Sequence, residues 1–396
     1  MEIPKQFQDF YKEHHFKALT PIQEQVYEPL KSNRSILAMA PTGSGKTIAF
    51  GMPMIENTKA GAGIQVLILE PSQELSIQTR DVLRQLTSDL TVYSVIGGAN
   101  IKRQIEHLKK KPEIVVGTIG RITDLVSKKK FKLNKIQTVI IDEADEMLAD
   151  KMDAVRSLLN RIPSEFQLGL FSATATPVFK DLTKWFNKQF VEIDLRSDKS
   201  FRAGLKHYFI QASTKNKPEI LQQLAHRKNK TNLVFCQSSK VLHRLAAAMR
   251  YRKTYFAVLD TSDPKGRRET ALKEFRTHKT SLLLTTDVAA RGMDIPDLTT
   301  VINLENPEDR TEYIHRSGRT GRMGRNGEVI TLGNSHDYRQ LIEVLHSKNI
   351  KIQKSVIEND KLIKASDKKR PVKSAKRIET PKKKKRWRDR RNKGKH

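Results

Sequence analysis

The stretch Ala40-Pro41-Thr42-Gly43-Ser44-Gly45-Lys46-Thr47 decides the fold. An apolar run at 35–39 precedes it and is typical of a buried strand, and the segment from Lys46 onward is typical of a helix. In such a strand, turn and helix, backbone N–H groups and the helix dipole converge on phosphate oxygens. We therefore predict a phosphate-binding loop in which Lys46 reaches the β- and γ-phosphates and the Thr47 hydroxyl binds Mg²⁺. The strict pattern has glycine in place of Ala40, and a flexible loop with a chance lysine is the alternative.

Two acids, Asp142 and Glu143, directly follow a second apolar run at 138–141. In a domain that already holds a phosphate-binding loop, the first acid can hold Mg²⁺. The second can orient and deprotonate an attacking water. The alternative is a helix N-terminus that carries acids because they complement the helix dipole.

Apolar, β-branched runs alternate with amphipathic stretches in two successive series, which is typical of α/β domains with mostly parallel sheets. We predict one domain at 1–198, a linker at 199–204, a second domain at 205–352 and a tail at 353–396. The predicted strands of the first domain after the phosphate-binding loop lie at 65–69, 92–96, 114–117, 138–141, 168–171 and 191–194. Those of the second lie at 207–211, 232–236, 255–259, 281–285, 299–304 and 328–332.

The charge of the chain is strongly positive and unevenly placed. The net charge is +30, and residues 351–396 hold 20 Lys and Arg against 5 Asp and Glu. This composition predicts a disordered basic tail that binds nucleic acid. The single cysteine excludes a disulfide framework within one chain. The chain contains no run of 18 apolar residues, so we predict no membrane span. We expect a cytoplasmic protein.

The tetrapeptide Asp142-Glu143-Ala144-Asp145 is the signature of the DEAD-box RNA helicases, and the chain resembles this family over roughly residues 14–335. The resemblance implies two tandem RecA-like domains, each a mostly parallel sheet flanked by helices. The other segments that carry it are Phe16 with Thr20-Pro21-Ile22-Gln23, Ser172-Ala173-Thr174, residues 286–294 and residues 315–322.

The resemblance implies that ATP and Mg²⁺ are the cofactors. The amide of Gln23 would pair with the adenine edge, Phe16 would stack on the base, and Asp294 would contact the nucleotide from the second domain. Arg319 and Arg322 would be arginine fingers, although three arginines within eight residues could also form a general phosphate-backbone patch. The residues that would couple hydrolysis to domain contact and strand separation are Asp145, Ser172, Thr174 and His315.

The resemblance also implies an RNA site, with departures from the family pattern. Gln73 replaces an arginine, Ile119 replaces a proline, residues 260–263 replace a His-Gly-Asp segment, and His15 replaces the glycine before Phe16. We therefore expect an intact ATP site and an altered grip on RNA. The expected RNA contacts are Pro71, Gly98, Thr118, Arg121, Arg268 and Thr285.

These features together predict an RNA-stimulated ATPase that remodels short RNA duplexes when ATP and RNA close the cleft. An ATP-gated RNA clamp or annealing chaperone is the alternative, and a DNA-directed helicase is disfavoured by the motifs. Ribosome assembly, RNA turnover and cold adaptation all fit. The expected partners are RNA and ribosomal or RNA-decay proteins, with no membrane, and the expected state is a monomer.

Overall fold

The computed structural model describes residues 1–163, 165–198, 204–290, 295, 298–321, 326–345 and 350–367. Within these residues the chain forms two α/β domains, which confirms the predicted fold class. No helix in this part of the chain combines the length and apolarity that a membrane crossing requires. Most of the predicted linker, residues 199–203, lies outside the described residues.

The described residues of the first domain form a parallel sheet of seven strands. The strands are β1 (Ile36–Met39), β2 (Val66–Glu70), β3 (Val92–Val95), β4 (Ile114–Thr118), β5 (Thr138–Ile141), β6 (Gln167–Ser172) and β7 (Val191–Asp194). The helices are α1 (Gln8–Glu13), α2 (Pro21–Lys31), α3 (Lys46–Asn57), α4 (Gln73–Leu86), α5 (Ile101–Lys109), α6 (Ile119–Ser127), α7 (Ala144–Leu159) and α8 (Leu182–Phe186). The strand order is β3-β4-β2-β5-β6-β1-β7.

Burial on both faces explains why the strands are continuous apolar runs. In β2, Val66 and Ile68 pack into the core on one face of the sheet. Leu67 and Leu69 pack into a separate core on the other face. Successive side chains of a strand point to opposite faces, so a strand covered by helices on both sides needs apolar residues at every position.

The second domain repeats this architecture. Its strands are β8 (Leu205–Gln211), β9 (Asn232–Cys236), β10 (Ala257–Leu259), β11 (Leu282–Thr286), β12 (Thr300–Asn303), β13 (Gly327–Gly333), β14 (Ile352–Glu358) and β15 (Lys361–Lys364). Its helices are α9 (Lys217–Ala225), α10 (Ser239–Tyr251), α11 (Lys265–Arg276), α12 (Asp287–Ala290), α13 (Arg310–Ser317) and α14 (Ser335–Leu345). The strand order is β10-β11-β9-β12-β13-β8-β14-β15.

The hairpin β14–β15 corrects the predicted tail boundary. We expected disorder from residue 353, but β14 pairs parallel with β8, and β15 returns antiparallel to β14. Ile357 and Leu362 pack against the core of the second domain. The alternating apolar residues of this short segment were obscured by the lysines around them. The remaining part of the predicted tail, residues 368–396, lies outside the described residues.

The two domains meet at the carboxyl ends of their strands. The Arg268 guanidinium lies 3.5 Å from the Glu74 carboxylate across the cleft. A Cβ atom added to Gly318 would lie 2.4 Å from the Cβ of Thr42. The phosphate-binding loop therefore packs directly on the second domain, and the cleft lies at the sheet edge where ligands of open α/β sheets bind.

Candidate active site between the two domains

Three neighbouring strands, β5, β6 and β1, end in the predicted nucleotide and coupling motifs. Asp142 and Glu143 follow β5, Ser172 ends β6, and the phosphate-binding loop follows β1. The backbone N–H of Ala40 donates to the carbonyl of Ser172, at 3.0 Å, and ties two of these segments together. The sequence-predicted ATP motifs of the first domain are therefore brought to one place.

The phosphate-binding loop has the backbone that the motif requires. Gly43 and Gly45 have φ angles of 80° and 91°, which favour glycine. The Lys46 ammonium donates to the carbonyl oxygens of Ala40, at 3.0 Å, and Pro41, at 3.4 Å. The hydroxyl oxygens of Thr42 and Ser44 are buried and have no hydrogen-bond partner among the described residues. Two partnerless hydroxyls beside a lysine suit a bound triphosphate.

The first two expected adenine contacts differ in their placement. Gln23 is fully buried. Its side-chain oxygen accepts from the Thr20 N–H, at 2.8 Å, and the Tyr11 hydroxyl, at 2.9 Å, while its amide donates to the Gly45 carbonyl, at 3.4 Å. In this arrangement the Gln23 side chain connects α2 to the phosphate-binding loop by hydrogen bonds. The contact of Gln23 with adenine stays a prediction. Phe16 stacks on His14, with ring centroids 5.5 Å apart.

One cavity of about 610 Å³ joins the nucleotide motifs of both domains. Phe16 lies on its wall together with the phosphate-binding loop, and Asp142 and Glu143 face the same space. Arg319 reaches this cavity from the second domain. The cavity is the size of an ordinary small-molecule site, and it holds the groups that nucleotide binding and hydrolysis require.

The acids after β5 are held in a strained turn. Glu143 has φ 47° and ψ 48°, a left-handed conformation that is rare for a residue other than glycine, and it precedes α7. Its N–H donates to the Asp142 carboxylate, at 2.9 Å. Burial raises the pKa of Asp142 to about 6, although the nearby charge of Lys46 acts to lower it. A buried carboxylate of this kind is stabilised by a cation, so Asp142, with the Thr47 hydroxyl, fits Mg²⁺.

Glu70 is a buried acid that the sequence analysis missed. It ends β2 beside Asp142, and the Thr79 hydroxyl donates to it, at 2.6 Å. Burial raises the pKa of Glu70 well above its usual range, and the charge of Asp142 adds to the shift. The signal was available, because Glu70 ends an apolar run as Asp142 does. A raised pKa is expected for a carboxyl that is buried beside a second acid.

Asp145 is the centre of the predicted coupling residues. The Thr174 N–H donates to the Asp145 carboxylate, at 3.0 Å, and the Thr174 hydroxyl donates to the same oxygen. Ser172 donates to the Thr174 carbonyl, at 2.6 Å. The His315 ring Nε2 lies 3.5 Å from the Asp145 carboxylate and comes from the other domain. All four predicted coupling residues are therefore in one cluster that crosses the cleft.

The ion pair of His315 and Asp145 predicts that domain closure depends on pH. Burial acts to lower the pKa of His315, but the hydrogen bond and charge of Asp145 and the charge of Glu143 raise it overall. Burial acts to raise the pKa of Asp145, but His315 and Thr174 lower it to about 2. The contribution of His315 to closure is thus complete below its ordinary pKa of about 6.5 and is lost as pH rises through the raised value.

We therefore expect the closed population, measured by fluorescence transfer between labels on the two domains with ATP analogue and RNA bound, to fall as pH rises above about 6.5. His315→Gln cannot titrate and should lack this dependence, with weaker closure at low pH. An identical pH profile for His315→Gln and wild type would exclude the ion pair as the cause.

Arg319 and Arg316 have different roles in the second-domain motif. Arg316 is 2% exposed, and its guanidinium donates to Asp287, Glu312 and Asn303, so it serves structure. Arg319 lines both the nucleotide cavity and an adjoining acidic cavity of about 500 Å³. Of these two arginines, only Arg319 is therefore placed to contact a nucleotide. The other expected second-domain contacts, Asp294 and Arg322, lie outside the described residues.

The contact of Gly318 with Thr42 predicts a variant that blocks closure. A side chain at Gly318 would overlap Thr42, and forcing extra volume into a packed contact costs about 1–3 kcal/mol. We expect Gly318→Ala to lower RNA-stimulated turnover by about 5–150-fold at subsaturating RNA. Gly266→Ala is the matched control, because nothing lies within 4 Å of its added Cβ. Equal activities in the two variants would contradict this contact as part of closure.

Three of the six predicted RNA contacts line a further cavity between the domains, of about 760 Å³. Pro71 and Thr118 line it from the first domain, and Arg268 lines it from the second. Gly98 and Arg121 stand nearby: the Arg121 guanidinium donates to the Ala99 carbonyl, at 3.4 Å. The cavity therefore brings predicted RNA contacts of both domains together.

Thr285 does not fit its predicted role, because it is fully buried in β11 and its hydroxyl donates to the Thr286 carbonyl, at 3.2 Å. The expectation of a direct RNA contact at this residue is wrong for the described arrangement. The next side chain that reaches the cavity is Val288, which is 62% exposed.

Comparisons with known proteins agree with this geometry. Residues 20–182 match the DEAD/DEAH box helicase family, and residues 216–324 match the helicase conserved C-terminal domain. The chain is 35% identical over 334 residues to the DEAD-box ATP-dependent RNA helicase CshC of Bacillus cereus, covering 83% of this chain and 85% of that protein. It is 32% identical over 351 residues to the probable ATP-dependent RNA helicase YfmL of Bacillus subtilis, covering 88% and 93%.

Solved structures also resemble both domains together. The structure of S. cerevisiae Dbp5 bound to RNA and ADP BeF3 superposes with a TM-score of 0.78 at 25% identity, covering 89% of this chain and 93% of that one. Mss116p bound to ssRNA and AMP-PNP gives a TM-score of 0.76 at 25% identity, covering 90% and 78%. These likenesses confirm the RecA-like form of the two domains.

Proposed function

The chain belongs to the DEAD-box ATP-dependent RNA helicases, and from this we propose that it is an RNA-dependent ATPase that locally unwinds or remodels short RNA duplexes and RNA–protein complexes. The observation that carries the proposal is the 610 Å³ cavity, because Lys46 and Glu143 line it from one domain and Arg319 lines it from the other. A site built from both domains can complete itself only when the domains meet.

The chemical step is divided among these three side chains. Lys46 exchanges its bonds to the carbonyls of Ala40 and Pro41 for the phosphates of ATP. Glu143 orients the attacking water and takes its proton. Arg319 stabilises the charge that develops on the transferred phosphoryl group, which is the largest electrostatic change of the reaction.

The fit of Asp142 and the Thr47 hydroxyl extends the proposal to Mg²⁺. The ion, when bound, neutralises phosphate charge. Asp142 contributes in its ionised form, and a buried site with a pKa of about 6 makes that form available at neutral pH. Glu70 lies beside it, and burial raises the pKa of Glu70 well above its usual range.

RNA supplies the second condition for closure in this proposal. The 760 Å³ cavity is lined by both domains, so a strand that fills it holds them together. Gln73, which stands where the family has arginine, lies over the turn at Gly97 and Gly98, with its amide 3.2 Å from an added Cβ on Gly97. Closure then aligns Arg319, and hydrolysis removes the nucleotide contacts that favour the closed form.

The cellular role stays a proposal taken from the sequence. Residues 368–396 carry 16 Lys and Arg against 2 Asp and Glu, and we propose that they bind RNA through its phosphates. Ribosome assembly, RNA turnover and cold adaptation all fit, with ribosomal or RNA-decay proteins as partners and a monomer as the working state. A compartment that holds both RNA and ATP, such as the cytoplasm, follows from the proposal.

Strand separation of a short RNA duplex, compared with an all-DNA duplex of the same sequence, tests the proposed function. We expect ATP-dependent separation of the RNA duplex and little activity on the all-DNA duplex. Tight ATP-dependent binding without separation would favour an RNA clamp, faster pairing of free strands would favour an annealing chaperone, and equal activity on DNA would contradict RNA specificity.

A further inference from the structure

Two tyrosines of the second domain are left in solvent, far from the cleft. Tyr251 is 91% exposed and Tyr255 is 75% exposed, whereas the other six tyrosines are buried or half-buried. An aromatic ring removed from water contributes far more to packing than most side chains, so two neighbouring rings left exposed need an explanation.

The tyrosines are presented on a firm backbone. Tyr251 ends α10, and the turn after it is closed by hydrogen bonds from the Lys253 N–H to the Arg250 carbonyl, at 2.9 Å, and from the Thr254 N–H to the Met249 carbonyl, at 3.1 Å. The Thr280 hydroxyl donates to the Tyr255 carbonyl, at 3.2 Å, and fixes Tyr255 beside the turn that precedes β11. The backbone that carries both rings is therefore fixed before any ligand binds.

The surroundings of the two rings are positively charged. Residues 250–255 read Arg-Tyr-Arg-Lys-Thr-Tyr, and residues 276–279, which begin with the last residue of α11, read Arg-Thr-His-Lys. Neither segment contains an acid. Arg252 forms an ion pair with Glu219, at 3.8 Å, which offsets part of this charge, but the two segments together carry five Lys and Arg. Exposed aromatic rings among cations suit unpaired nucleobases and the phosphates between them.

We propose that Tyr251 and Tyr255, with Arg252, Lys253 and Lys279, form a second RNA site that takes a single-stranded segment. We call this set the tyrosine site. Bases stack on the two rings, and the cations contact the phosphates. The ligand is RNA and not a second protein because the site carries excess positive charge and its exposed large side chains are aromatic. The proposal rests on the proposed function, since it assumes that the cleft also binds RNA.

The position of α11 connects the tyrosine site to the cleft. The helix begins near Arg268, which faces Glu74 across the cleft, and it ends at Arg276 beside the tyrosine site. Its 12 residues span about 18 Å. Arg267 and Lys273 are exposed along the helix. A strand that leaves the cleft along α11 therefore reaches the tyrosines only if it extends beyond the cleft.

Binding of single-stranded RNA of two lengths to the full chain, with an ATP analogue, tests the tyrosine site. The short RNA fills the cleft alone, and the long RNA extends past it. The double variant Tyr251→Leu/Tyr255→Leu should bind the long RNA about tenfold or more weakly than wild type and the short RNA equally well. Tyr251→Phe/Tyr255→Phe is the matched control, because it keeps both rings, and it should bind both RNAs as wild type does.

The cations have a separate readout. Lys253→Gln/Lys279→Gln should lower the dependence of long-RNA affinity on salt by about 0.7 per lost phosphate contact, and leave the short RNA unaffected. Wild-type affinity of the leucine variant for the long RNA would overturn the proposal and leave the tyrosines to a protein partner. An equal loss on both RNAs would also overturn it. A wild-type protein that binds neither RNA would overturn the proposed function and the tyrosine site together.

Discussion

Glu143→Gln should lower ATP turnover by about 10²–10⁴-fold while ATP and RNA affinities stay near those of wild type. The amide keeps the shape of the side chain but cannot accept the proton of the attacking water. Glu143 lines the nucleotide cavity from a strained left-handed turn, and glutamine can occupy the same backbone conformation. Single-turnover hydrolysis with RNA saturating, together with equilibrium binding of ATP and RNA, separates the chemical step from binding.

Glu146→Gln is the matched control for this variant. Glu146 lies in the first turn of α7, three residues from Glu143, and it lines the acidic cavity and the RNA cavity but not the nucleotide cavity. Its substitution removes one negative charge from the same region and should change the hydrolysis rate little. If the two variants lose similar activity, the effect is one of general charge and Glu143 is not the base.

Arg319→Ala should lower RNA-stimulated hydrolysis by about 10³–10⁵-fold, the range seen for arginine fingers in related phosphoryl transfer. Arg319 comes from the second domain and lines the same cavity as Lys46 and Glu143. Its loss should leave ATP bound to the first domain. Arg319→Lys keeps the charge but loses the planar fork, so its activity should lie between wild type and the alanine variant.

Arg310→Ala is the matched control, because it removes an arginine of α13, the helix that precedes Arg319. Arg310 is exposed at the start of the helix and does not line the nucleotide cavity. We expect Arg310→Ala to keep a turnover close to that of wild type. If Arg319→Ala loses most of its RNA-stimulated turnover in the same assay, the two results support Arg319 as the arginine finger. Residual stimulation in Arg319→Ala within tenfold of wild type would move that role to another residue.

Local sequence patterns were sufficient for the domain class and for the strand ends that carry chemistry. The apolar run before Asp142 predicted β5 with both of its ends correct, and the glycines at 43 and 45 have the left-handed backbone that their motif implies. These features depend on neighbouring residues and on burial at two faces, which a sequence displays directly.

Packing between distant segments could not be predicted in the same way. Gln23 was expected to face adenine, yet Tyr11, Thr20 and Gly45 use its polar groups, and none of these contacts has a periodic signal. Thr285 was expected to face RNA, but every residue of β11 is buried, as in a strand that is covered on both faces.

The structure shows the surroundings of two residues that depart from the family pattern. His15 replaces a glycine and has a φ of 56°, so it occupies a left-handed position where glycine has no steric cost. Gln73 replaces an arginine and rests against the glycines at 97 and 98, so a neutral amide lies where a cation would attract phosphate. That these departures alter RNA binding stays a prediction.

The dependence of ATP turnover on RNA concentration tests the central claim most directly, which is that RNA and ATP together bring the two domains over one nucleotide site. The measurement uses the full-length protein at saturating ATP, with DNA of the same sequence as the control. We predict low turnover without RNA, a large and saturable increase with RNA, and little response to DNA. Turnover that is the same with and without RNA would contradict the account, because Arg319 would then act without RNA-driven closure.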